Sequence, residues 1–122
     1  MQRIPVFSAA GESLGTIPAN VVGIFGSPTD PTLEQLAGDI KDAGDLPRFR
    51  SSKYFVPRDF VGAFDAVVID QSAPNADAVR EYFAGKGVAV YVVQRDEHGA
   101  PTIPAEFEQL IAESAARTAT RP

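Results

Sequence analysis

The residues able to do chemistry gather in three short stretches, each directly behind an apolar run. Gly26, Ser27, Thr29 and Asp30 follow Val21–Phe25; Asp70, Gln71 and Ser72 follow Phe64–Ile69; Gln94, Arg95, Asp96 and His98 follow Val88–Val93. Three chemistries are open to them. Gly26-Ser27-Pro28-Thr29, ahead of a helix start, offers backbone N–H groups to a phosphate. It matches neither glycine-rich phosphate motif, and Pro28 and Pro31 each lack a donor, so a capping turn is the stronger expectation. Ser27, Asp70 and His98 supply a hydroxyl, a carboxylate and an imidazole in the order needed for nucleophilic hydrolysis. The glycines that would expose such a serine are replaced by Phe25 and Thr29, and His98 sits in a Glu-His-Gly turn that reads as solvated. Asp70 with Asp30 or Asp96 could offer oxygens to Mg²⁺, although a strand-end aspartate commonly serves as a turn or cap residue. Ligand candidates are therefore Gly26, Ser27, Thr29, Asp70, Ser72 and Arg95; no catalytic residue, metal ligand or cofactor is predicted.

Elements of regular structure must position these stretches. Ala66-Val67-Val68-Ile69 is apolar on both faces, which a strand tolerates only when helices cover both sides of its sheet. Val21–Phe25 and Val88–Val93 read the same way. Between the first two runs, Asp30 caps a helix with Pro31 at its first position, and Leu33, Leu36, Ala37 and Ile40 form one stripe ending near Gly44. A second helix starts at Asn75, whose side chain is expected to cap it, with Ala76, Val79, Tyr82 and Phe83 inward. A third starts near Pro104 with Ile103, Phe107, Leu110 and Ile111 inward. The predicted core is Val22, Ile24, Leu36, Ile40, Val67, Ile69, Phe83, Val90, Val92, Phe107 and Leu110.

The fold class is thus α/β, a small flavodoxin-like or Rossmann-like parallel sheet sandwiched by helices. Residues 1–116 form one domain: a β-hairpin arm over 3–18, with Pro5 and Pro18 marking edge strands, and a core over 20–116. Residues 117–122 read as a loose tail. Asp70 resembles the phosphoacceptor of response-regulator receiver domains in its place at a strand end. The acidic pair and the lysine of that family have no counterpart, since the outer strands end Phe25-Gly26-Ser27 and Val93-Gln94-Arg95. Over residues 60–93 the pattern also resembles glutamine-amidotransferase-like and flavodoxin-like domains. That resemblance implies a fold only, because the amidotransferase nucleophile is a cysteine and this chain has none.

With 122 residues the chain suffices for one core. A net charge of -5 speaks against nucleic-acid binding through the whole surface. No apolar run is long enough for a membrane span, and no secretory signal is evident, so a cytoplasmic protein or one assembled in a particle is expected. Against the acidic background, residues 45–60 carry Arg48, Arg50, Lys53 and Arg58 interleaved with Phe49, Tyr54, Phe55 and Phe60. Arginine and aromatic residues are enriched in protein–protein contacts. Arg48, Phe49, Arg50, Lys53, Tyr54 and Arg58 are accordingly the partner-binding candidates, with a further strand expected around Lys53–Val56. The expected role is a non-enzymatic structural or assembly protein, a subunit or accessory component of a larger particle such as a phage virion, acting through protein partners or self-association. The alternative is a small-ligand or nucleotide-binding α/β protein, or an enzyme using the strand-end loops.

Overall fold

The computed structural model describes residues 1–120, in the order β1 (Gln2–Phe7), β2 (Ser13–Ala19), β3 (Val21–Phe25), α1 (Pro31–Asp42), β4 (Leu46–Arg50), a 3-10 turn (Pro57–Phe60), β5 (Ala66–Asp70), α2 (Ala76–Gly85), β6 (Ala89–Arg95), β7 (Pro101–Thr102) and α3 (Ala105–Ala119). Strands β3 to β7 form one sheet in the order β4-β3-β5-β6-β7. Its first four members are parallel, and β7 pairs antiparallel with β6. The architecture is mixed α/β, with a mostly parallel sheet and a separate antiparallel hairpin, β1–β2.

Every residue of β3 and β5 is buried, as their two-faced apolar sequences require. Val22, Ile24, Ala66 and Val68 face one layer, shared with Leu33, Leu36 and Ile40 of α1 and Phe107 of α3. Val21, Phe25, Val67 and Ile69 face the other, with Val79 and Phe83 of α2. No helix crosses between β4 and β5. Residues 51–65 make that crossover with a single 3-10 turn, and Phe55, Phe60 and Phe64 cover the sheet in place of a helix. Their rings lie about 6 Å from Phe25: 6.1 Å for Phe55, 5.6 Å for Phe60 and 6.0 Å for Phe64. Edge-on geometry at that spacing is favourable for aromatic pairs.

Several expectations need correction. No strand forms around Lys53–Val56; the strand of this region is β4, at Leu46–Arg50, and its Pro47 and two arginines suit an edge position, where a missing donor costs nothing and charge discourages further pairing. Asn75 precedes α2 with φ 58° and makes no cap bond. Its Nδ2 donates instead to the carbonyls of Ser52 (2.9 Å) and Lys53 (3.1 Å). Val90 and Val92 are only half-buried, because β6 is flanked outward by the two residues of β7 alone, and Leu110 of α3 is half-buried at the border of the α1 layer. Leu33, Phe25, Val68, Val79 and Val93 belong to the core as well.

The tail also differs. Helix α3 runs to Ala119, past the point where a loose segment was expected at 117. Arg117 pairs with the buried Asp45, and the Thr118 hydroxyl donates to the Ala43 carbonyl at 2.7 Å. Asp45 further accepts bonds from the Asn20 N–H (2.9 Å) and the Ser114 hydroxyl. These contacts fasten the last two turns of α3 to the junction between the arm and the sheet. Residues 121 and 122 of the expected tail lie outside the described residues.

Candidate functional site

Strand β3 leads through α1 to β4 on one side, while β5 lies on its other side, so strand order reverses between β3 and β5. A crevice opens beyond the carboxyl ends of parallel strands at such a point. Here it is a pocket of about 630 Å³ lined by Gly26, Ser27, Pro28 and Asp30 behind β3, Phe49–Lys53 at the end of β4, and Asp70 with Ser72–Pro74 behind β5. Pockets of this size accept small organic molecules.

Arg95, at the end of β6, organises the acidic side of the crevice. Its Nη2 lies 3.0 Å from Oδ2 of Asp70 and 3.1 Å from Oδ2 of Asp30, with Nε 3.3 Å from Oδ1 of Asp70. The guanidinium thereby joins the ends of β5 and β6 to the start of α1. Asp70 Oδ1 also accepts from the Ser72 N–H (3.0 Å) and hydroxyl (2.9 Å), and Asp30 Oδ1 caps α1 through the N–H groups of Thr32 (3.0 Å) and Leu33 (3.2 Å). Burial pushes the Asp70 carboxyl up, but Arg95 and the Ser72 donors outweigh it, and the net shift is downward. Asp30 follows the same balance, with the Leu33 N–H and Arg95 overriding burial. The Asp70 hydrogen bond raises Arg95 further against the opposing effect of burial. Both carboxylates are charged, share one cation and are largely saturated with donors, which suits an anchor and leaves little lone-pair capacity for a metal or a proton transfer.

The serine, aspartate and histidine do not converge. Ser27 Oγ is paired with Thr29 Oγ1 at 2.9 Å, Asp70 is held by Arg95, and His98 is exposed beside Glu97. Asp96 is occupied within its own turn by the N–H groups of His98 (2.8 Å) and Ala100 (2.9 Å). Among the described residues, no group of three or more His, Asp or Glu side chains is arranged to hold a metal ion.

Of the six ligand candidates, Gly26, Ser27, Asp70 and Ser72 line the pocket; Thr29 does not, and Arg95 stands behind the two aspartates. Gly26 is needed where it is: a Cβ there would lie 2.4 Å from Leu33 Cδ1 and 3.2 Å from Asp70 Cβ. The partner candidates divide. Phe49 packs against the core layer of α1 and α3, Lys53 sits 5.4 Å from the ring of the exposed Tyr54, and Arg58 is exposed on the 3-10 turn. Arg48 and Arg50 border a shallow groove of about 280 Å³ with Gln2 and Ile4 of the arm and Asp59 and Phe60 of the turn.

Phe49, Arg50 and Lys53, which the sequence offers as partner-binding candidates, also form one wall of the crevice together with Ser51 and Ser52. Along β4 the period-two pattern places Phe49 on the core face and Arg48 on the opposite one, while Arg50, at the strand's end, borders both the groove and the crevice. Ser52 carried no signal. It is 3% exposed and its Oγ has no hydrogen-bond partner. No membrane-crossing helix exists among the described residues, since none is long and apolar enough. The chain matches no family model, no curated protein and no solved structure.

Proposed function

We propose that this protein is a non-enzymatic assembly module that uses its N-terminal arm and the neighbouring basic edge to hold a protein partner or another subunit of a larger particle. The observation that carries the reading is the placement of the arm. Its base is fastened: Ile4 packs into the aromatic layer and Gln2 Nε2 donates to the Ala63 carbonyl at 3.2 Å. Its distal half is not, with Phe7 59% and Leu14 65% exposed. A two-stranded hairpin is marginal by itself, and two large apolar side chains on a free tip gain stability only when something covers them. The groove at the arm's base is edged by Arg48 and Arg50, which suits an acidic partner surface.

The test is sedimentation of the whole chain, alone and mixed with the products of neighbouring genes, beside a Phe7→Asp/Leu14→Asp variant and an Arg48→Glu variant. The parent is expected to sediment as a complex, and both variants as folded monomers with unchanged circular dichroism. A parent that stays monomeric in every mixture defeats the proposal. Variants that associate as the parent does show that the arm and the basic edge are not the contact.

A further inference from the structure

The crevice at the carboxyl ends of β3, β4 and β5 carries an inference separate from the assembly reading. Arg95 offsets one of the two acidic charges of Asp30 and Asp70, and Arg50 with Lys53 then outweighs the other, so the crevice carries a net positive charge. Arg50 Nη1 donates to the Phe49 carbonyl at 2.8 Å, which leaves its remaining N–H groups free of the backbone. The hydroxyls divide in the same sense. Ser72 spends its proton on Asp70, whereas Ser51 Oγ accepts from the Lys53 N–H at 3.3 Å and keeps its own proton to donate. Ser52 Oγ is buried with no partner at all.

A buried hydroxyl left without a partner is costly. Ser52 and Arg117 carry the only buried side-chain polar atoms without a partner among the described residues. The segment bearing Ser52 is also immobilised from outside, because Asn75 gives up its capping role to bind the carbonyls of residues 52 and 53. A donor-rich, acceptor-poor wall with two cations fits a group with several anionic oxygens. Phe49, Pro28 and Pro74 add apolar surface beside it.

We infer that this crevice is a binding site for a small organic phosphate monoester, its phosphoryl oxygens taken by Arg50, Lys53 and the hydroxyls of Ser51 and Ser52, and its organic part lying against Phe49 and Pro28. Phosphate suits the site better than carboxylate because its second negative charge and third terminal oxygen match the two cations and two hydroxyls on this wall. Asp30 and Asp70, held by Arg95, line the opposite side and set how deep the anion sits.

The whole chain, labelled with ¹⁵N, is titrated with phenyl phosphate, inorganic phosphate and benzoate while amide shifts are followed. Phenyl phosphate is expected to give saturable shifts at Gly26, Ser27, Ser51, Ser52, Lys53 and Ser72. Benzoate and inorganic phosphate are expected to bind roughly tenfold more weakly, the first lacking oxygens and the second the apolar body. Ser52→Ala and Lys53→Gln should each weaken phenyl phosphate by about tenfold. Ser52→Ala should leave the free protein at least as stable as the parent, since it removes a buried hydroxyl that makes no bond there. The inference is overturned by the absence of saturable shifts, by benzoate binding as well as phenyl phosphate, by affinity unchanged in both variants, or by a Ser52→Ala protein that is itself less stable. The arm variants are predicted to bind phenyl phosphate normally, so failure here and failure of the assembly reading are distinguishable.

Discussion

Replacing Arg95 with methionine removes the one cation shared by Asp30 and Asp70 while keeping the length of the side chain. Breaking a buried ion pair from one side costs about 3–5 kcal/mol. The full figure does not apply here. The Arg95 and Asp70 side chains are 14% and 7% exposed, but Asp30 is 26% exposed and is partly served by water. Asp70 also keeps both Ser72 donors. The expected loss at neutral pH is therefore about 2–3 kcal/mol, a large share of the 5–15 kcal/mol typical of a domain.

The pH dependence distinguishes this cause from a packing defect. In the parent, both carboxyls sit below their ordinary value of 3.8. Their contribution is complete above that value and is lost as the pH falls through the depressed native values. In Arg95→Met the burial of Asp70 loses its main opponent, and its native pKa rises. The variant's deficit is then greatest at neutral pH and shrinks as acid protonates the stranded carboxyl. Urea denaturation of both proteins between pH 7 and about pH 4 measures the difference directly. Adding Asp70→Asn to the variant should recover part of the loss at pH 7 and flatten the profile. A deficit under about 0.5 kcal/mol, or one independent of pH, would falsify the account of Arg95 as the cation that makes these acids affordable.

Two further outcomes follow from the same geometry. Asp45→Ala removes the acceptor of Asn20, Ser114 and Arg117 at once; a loss of about 2–4 kcal/mol by urea denaturation is expected, with faster hydrogen exchange in the last two turns of α3. Gly26→Ala drives a methyl group into Leu33 and Asp70. Because Leu33 is fully buried, the side chain has little room to turn away, and a cost of about 1–3 kcal/mol is expected, read as a lowered thermal midpoint.

The sequence by itself determined the features whose causes lie within one element. Two-faced apolar runs made β3 and β5 legible as central strands, and Asp30 with Pro31 marked the start of α1 because capping involves only residues two and three positions on. The stripe of Leu33, Leu36 and Ile40 followed from helical periodicity alone. Tertiary structure decided everything that depends on meeting a distant segment. Leu46–Arg50 is a strand because β3 offers it an edge, a fact its proline and arginines obscured. Asn75 could cap a helix or hold a loop, and only the position of Ser52 and Lys53 chose between them. The sequence offered Asp70 as a turn residue and both Asp70 and Arg95 as ligand candidates, and Asp70 does accept from the Ser72 N–H, but their ion pair at 3.0 Å exists only because the sheet sets β5 beside β6. Local periodicity reflects a chain's own geometry, whereas charge pairing and orphaned groups such as Ser52 arise from which segments the folded core forces together.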